Sequence, residues 1–114
     1  MGKYGNKKTE YDGHIFDSLA ERRRYQELKL LLAAGQIVDL ELQPKYILVP
    51  KQKGERELTY TADFRYREPI PFTDPAAYVV VVEDVKGFKT KDYIAKRKLF
   101  KWLHPDIDFR EVKM

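Results

Sequence analysis

The segment Tyr78-Val-Val-Val-Val82, followed by Glu83-Asp84-Val85-Lys86-Gly87, constrains this chain more than any other. A run of valines behind a tyrosine reads as a strand, because β-branched and aromatic side chains fill a pleated, buried surface well. A strand apolar on both faces, here Val79 to Val85, belongs at the centre of a sheet with layers packed on either side. Its far end breaks that pattern. Successive side chains alternate faces, so Val82, Asp84 and Lys86 share one face and Glu83 takes the other. A carboxylate and an ammonium at the end of a buried strand are costly to desolvate unless something uses them. Tyr60-Thr-Ala-Asp63-Phe-Arg-Tyr66 reads as a second strand with its own carboxylate. Side by side, Asp63 and Asp84 would form an acidic pocket with Lys86 at its lip, the outline of a divalent-metal site.

Composition narrows the class. A chain of 114 residues makes one domain, long enough to bury about two-thirds of its unfolded surface. Hydrophobic residues at 43% and charged residues at 35% indicate a globular protein rather than a disordered one. The net charge of +4 suits a polyanionic partner. Cysteine is absent, which excludes disulfides, zinc–thiolate sites and thiol nucleophiles and agrees with a reducing compartment. No apolar run approaches the roughly 18 residues of a membrane span. The start, Met1-Gly-Lys-Tyr-Gly-Asn-Lys-Lys8, is not a signal peptide, so no membrane association and a cytoplasmic location are expected. His14 and His104 lack metal-ligand spacing, and no glycine-rich phosphate loop is present.

Residues 1–16 are expected to form a basic flexible arm with a short extended piece at His14-Ile15-Phe16, and residues 17–114 a single domain. Lys7 and Lys8 in the arm would meet phosphates. A helix is expected over residues 18–34, with Ser18-Leu-Ala-Glu21 as a capping box and Gly35 as its stop. Tyr25, Leu28 and Leu32 follow helical spacing and form its buried face. One turn back along that face lies Glu21, which either caps the helix through the Ser18 amide or points inward toward the strand carboxylates. Ile37–Leu42 alternates as a strand, Gln43-Pro44 interrupts, and residues 45–67 make a hairpin. The proline-bearing stretch 68–77 is expected to be loop. Thr90 would cap a second helix over residues 90–103, the most basic segment, carrying Lys89, Lys91, Lys96, Arg97, Lys98 and Lys101. Residues 107–112 close the sheet. The class is α/β, a mixed sheet flanked by helices.

In this order the residues resemble the PD-(D/E)XK nuclease superfamily: Glu21 on a helix, Asp63, then Asp84-Val85-Lys86 after a valine-rich strand, with a basic helix behind Gly87. Phe16-Asp-Ser-Leu-Ala-Glu21, Tyr60-Thr-Ala-Asp63-Phe64 and Glu83-Asp-Val-Lys-Gly87 are together similar to a group of small phage proteins in that superfamily. The likeness runs from about residue 12 to about residue 112, with one departure, Ala62 where a proline often precedes the aspartate. It implies a restriction-endonuclease-like α-β-β-β-α-β core and a Mg²⁺- or Mn²⁺-dependent endodeoxyribonuclease. It also implies that Asp63, Asp84 and the Val85 carbonyl are metal ligands, with Glu21 holding a second ion or its waters. Lys86 would orient or deprotonate the attacking water, or stabilise charge on the scissile phosphate. Lys89, Lys91, Lys96, Arg97, Lys98, Lys7 and Lys8 would contact DNA. The small size favours reading DNA shape over sequence. By analogy with junction-resolving members, structure-specific cleavage of branched DNA such as the Holliday junctions of recombination, or nicking of duplex DNA, is the expected activity, and a homodimer the expected assembly. The competing classes are a non-catalytic nucleic-acid-binding module and an accessory subunit of a phage replication or packaging complex.

Overall fold

The computed structural model describes residues 7–113. Strands β1 (Thr9–Tyr11) and β2 (His14–Phe16) form an antiparallel hairpin. Its turn is Asp12-Gly13, with φ of 56° and 79°, the left-handed pair that a two-residue hairpin turn requires. Helix α1 (Leu19–Ala33) follows, then β3 (Val38–Leu42), β4 (Lys45–Val49), β5 (Leu58–Thr61), β6 (Phe64–Pro69) and β7 (Tyr78–Lys86). Helix α2 (Lys91–Leu103) and β8 (Asp108–Lys113) complete the chain. The main sheet has the order β3-β6-β7-β8, antiparallel up to β7 and parallel between β7 and β8, which are joined through α2. The fold is therefore mixed α/β, and β7 has a neighbour on both edges, as its valines predict. Among the described residues no helix is long and apolar enough to cross a membrane.

Each face of the sheet carries its own core. On the α1 side Phe16, Tyr25, Leu28, Ile37, Phe64, Tyr66, Val81 and Val85 pack together. On the α2 side Leu48, Tyr60, Ala62, Val82, Tyr93 and Phe100 do so. Each large apolar side chain buried this way contributes roughly 1.5–3 kcal/mol.

Three expectations are corrected. Residues 9–16 are not an arm: they form the hairpin, Phe16 enters the core, and Arg22 Nη1 donates to Thr9 Oγ1 at 2.9 Å. The turn signal Asp12-Gly13 and the apolar Phe16 explain this; residues 1–6 lie outside the described residues. The hairpin expected over 45–67 has its second strand broken at Ala62-Asp63, where β4 and β5 swing away as a separate two-stranded sheet. Pro44 has no amide to donate, and Gln43 turns the opposing strand with a φ of 52°. The corner is held by Gln43 N–H to the Asp63 carbonyl (2.9 Å) and Ala62 N–H to the Pro44 carbonyl (3.0 Å). Finally, Glu68 and Pro69, expected as loop, extend β6 and pair with Val79 and Tyr78; proline is tolerated at such a strand end.

Glu83 faces α1, opposite Asp84, and is fully buried. Arg24 grips it with two hydrogen bonds, Nε to Oε1 at 2.8 Å and Nη2 to Oε2 at 2.7 Å, and the Tyr66 hydroxyl donates to Oε2. Every lone pair that matters is engaged, so Glu83 is a structural anion that ties α1 to the sheet. Removing one partner of such a buried pair strands the other charge in low dielectric. Arg24→Ala is expected to lower stability by about 3 kcal/mol or more, read from urea unfolding; a loss below about 1 kcal/mol would contradict the role assigned to the pair.

Candidate metal centre

The corner at Asp63 builds the site. Asp63 N–H bonds the Glu83 carbonyl at 3.1 Å, continuing the β6–β7 ladder one step beyond Phe64. Its side chain then reaches along β7, where Oδ2 accepts from the Val85 amide at 2.6 Å. The Asp63 carboxylate thus lies beside Asp84-Val85. A strand residue directs its N–H and C=O to the same edge, so the Val85 carbonyl also leaves on the Asp63 side.

Asp84 is 2% exposed, on the α2 face. Its Oδ2 accepts from the Tyr60 hydroxyl. Its Oδ1 is buried, takes no hydrogen bond, and has the Lys86 ammonium 3.1 Å away as an ion-pair partner. Lys86 Nζ in turn sits 4.3 Å from the centre of the Tyr93 ring, and the Tyr93 hydroxyl donates to Glu111 Oε2 at 2.6 Å. Alternation along β7 therefore places Asp84, Lys86 and Glu83 on the faces the sequence assigns them.

Glu21 divides its two expected roles between backbone and side chain. Its amide donates to Ser18 Oγ at 3.1 Å, which caps the helix. Among the described residues its carboxylate makes no return bond to the Ser18 amide; it lies against Asp63 instead, close enough to share a hydrogen bond with it. The two carboxyls and Gln43 line a small pocket closed by Phe16, Leu42 and Phe64, with about 10 Å³ open to the centre of a water molecule. That is room for one water or one small ion. Gln43 is thus at the site because its left-handed backbone makes the corner.

Electrostatics follow from this crowding. Burial first, and then the neighbouring Glu21, push the Asp63 carboxyl well above the carboxylate range. Burial and then the charge of Asp63 raise Asp84 to about 6, against the downward pull of Tyr60 and Lys86. Among the described residues no three carboxylate or histidine side chains converge closely enough to enclose an ion by themselves. The donors do fit a partial shell: they are hard oxygens, one buried oxygen of Asp84 has only the Lys86 ammonium beside it, and Asp63 and Glu21 repel unless a proton or cation joins them. Mg²⁺ is commonly held by one or two carboxylates, with water and phosphate oxygens completing the coordination.

A pH dependence follows. Asp84 and Asp63 have folded pKa values above the unfolded value of 3.8. They therefore favour the folded state most at low pH, and that contribution is lost as pH rises through the folded values. For Asp84 alone, a shift from 3.8 to about 6 corresponds to a few kcal/mol. The metal-free protein is expected to lose thermal stability between about pH 4 and pH 8, and Mn²⁺ to raise the melting temperature more at pH 8 than at pH 5. Melting curves at several pH values with chelator or Mn²⁺ check this; a flat metal-free profile would contradict it.

The basic residues are distributed less simply than their sequence suggests. Lys89 Nζ and Arg97 Nη1 are ion-paired to Glu111 at 3.1 Å and 2.7 Å. Glu111 is pushed up by burial, but Tyr93, Arg97 and Lys89 outweigh this and hold it at about 2. Lys96 pairs with Asp92 at 3.5 Å. Lys91, Lys98, Lys7 and Lys8 are exposed. Lys89 and Arg97, both expected on phosphates, are thus each held against β8 by Glu111. Tyr60, Tyr93 and Glu111 were missed at the sequence level. Glu111 stands opposite Asp84 in the β7–β8 register, which only the strand pairing reveals.

The family model described as "Protein of unknown function (DUF1064)" matches residues 1–114, and the chain belongs to that family. No curated protein and no solved structure matches the chain.

Proposed function

We propose that this member of the DUF1064 family is a metal-dependent endodeoxyribonuclease of the PD-(D/E)XK type, cutting branched DNA or nicking duplex DNA. The observation that carries the reading is the concentration of buried acid at the end of β7: Asp84, whose buried Oδ1 has only the Lys86 ammonium beside it, feels the charge of Asp63, and Asp63 is itself crowded by Glu21. Such a cluster holds more acid than its own bases neutralise. The element order supports it as well: α1, three antiparallel strands, then α2 and a parallel strand.

A hard cation held by Asp63, Asp84 and the Val85 carbonyl would neutralise phosphate charge and acidify a water. The chain's own groups do the rest. Asp63, pinned by the Val85 amide, and Asp84, pinned by Tyr60, present their remaining oxygens in fixed directions. Lys86 donates to a non-bridging phosphate oxygen and offsets the charge that builds there. As the water oxygen bonds to phosphorus, the ester P–O bond on the opposite side breaks. The water's proton passes to the Glu21 carboxylate, and the departing oxygen takes a proton from solvent. Cutting both strands of a junction would require a second copy of the chain, hence the expected homodimer.

The competing reading, a non-catalytic binding module, draws on the Lys86–Asp84 ion pair, which neutralises part of the site without an ion. Incubation with supercoiled plasmid, four-way junctions and flaps in Mg²⁺, Mn²⁺ or chelator separates the two. The nuclease yields products only with metal, most rapidly on branched substrates. Binding that survives chelation, with no products from any substrate, would leave the module.

A further inference from the structure

The outer flank of α2 carries a feature that the metal chemistry does not use. Trp102 is the chain's only tryptophan, and it is 80% exposed in the last turn of the helix. Exposing an indole forgoes burial energy that a core position would supply. Lys98 stands one turn earlier on the same flank and Lys101 beside it. Both are exposed, and among the described residues neither is held in an ion pair. The flank borders a groove of about 500 Å³ between α2 and β8, lined by Arg97, Lys98, Lys101, Phe109 and Glu111.

Glu111, in the lining of this groove, links it to the metal centre. Glu111 pairs in register with Asp84 across β7 and β8, and it accepts from Tyr93 and Arg97 at 2.6 Å and 2.7 Å. The Lys86 ammonium and the Arg97 guanidinium both lie against the Tyr93 ring, 4.3 Å and 5.7 Å from its centre. From Lys86 the strip of side chains therefore runs over the buried Tyr93 ring and the Arg97–Glu111 pair to the exposed Lys98, Lys101 and Trp102.

We propose that this strip holds an unpaired stretch of a DNA strand, with Lys98 and Lys101 on its phosphates and Trp102 stacked on a base. A base inside a duplex has no free face to offer the indole, whereas an unpaired base does. Lysines around the indole suit a polyanion and disfavour an apolar protein partner. The inference rests on the nuclease reading for naming DNA and for placing the scissile phosphate at Lys86. It then adds the substrate class: strands unpaired next to the cut.

The test needs no catalysis. The full chain in chelator is titrated with a short oligodeoxythymidylate and with a blunt duplex of equal length, following tryptophan emission and, separately, the anisotropy of labelled DNA. The single-stranded oligonucleotide is expected to quench the emission and bind more tightly than the duplex. Trp102→Leu, with an unchanged circular dichroism spectrum, is expected to weaken single-strand binding about 10-fold. Lys98→Ala/Lys101→Ala is expected to flatten the log–log salt slope by about 1.4. Binding without a change in emission, equal affinity of Trp102→Leu, or no single-strand binding at all would overturn the inference. Metal-dependent cleavage without quenching removes this inference and leaves the nuclease; quenching without cleavage of any substrate does the reverse.

Discussion

Lys86→Ala is expected to cut DNA cleavage by about 10²- to 10³-fold while leaving DNA affinity nearly unchanged. The side chain holds a cation 3.1 Å from Asp84 and is backed by the Tyr93 ring, so it is positioned in advance rather than recruited by substrate. A group of that kind contributes where charge builds during reaction, not where the DNA backbone first binds. Its loss also removes one of the influences that lower the Asp84 pKa. Part of the defect is therefore expected to recover at higher pH or higher Mn²⁺, while most of it remains. Single-turnover cleavage of a labelled junction, with anisotropy on the same DNA, separates the two quantities. A variant that cuts at the parent rate would remove Lys86 from the chemistry and return it to a structural ion pair.

Asp63→Asn is expected to make the metal-free protein more stable while abolishing its activity. The amide keeps an oxygen for the Val85 N–H, so the corner at Ala62-Asp63 is preserved. It removes the carboxyl that burial and Glu21 render costly to ionise. The native carboxyl stabilises the fold only while protonated, so parent and variant should melt together near pH 4 and separate as pH rises. The gap should reach on the order of 1–3 kcal/mol by pH 8, several degrees in melting temperature for a domain of this size. Outer-shell partners of metal ligands alone cost about 10- to 100-fold when removed, so loss of a direct ligand should reduce cleavage by more than about 100-fold. An Asn variant less stable than the parent at pH 8 would show that the ionised Asp63 is already satisfied, and would weaken the metal site with it.

What was legible in the sequence follows physical lines. The valines of β7 announced a central strand because few other environments accept branched side chains on both faces, and strict alternation separated Asp84 from Glu83. Glu21 was placed on the inward stripe by helical spacing, although the capping box left its carboxylate undecided. The corner at Ala62-Asp63 was not legible, since Ala62 and Asp63 are a short interruption among the strand-forming residues from Leu58 to Arg67 and the bend is imposed by Gln43-Pro44 across the hairpin. The β1–β2 hairpin had its signal in Asp12-Gly13, but the lysine- and glycine-rich lead hid it. The tethering of Lys89 and Arg97 by Glu111 depends on β7–β8 register, and no local pattern encodes the partner of a parallel strand.

Binding of Mn²⁺ measured calorimetrically at pH 7, in two buffers of different ionisation heat, tests the shared cation most directly. The parent chain is expected to bind and to release the proton that burial keeps on Asp63, so the observed heat should differ between buffers. Asp63→Asn and Asp84→Asn should give no saturable heat. Isotherms from both variants that match the parent, or no binding by the parent in either buffer, would mean that these carboxylates do not share a metal ion.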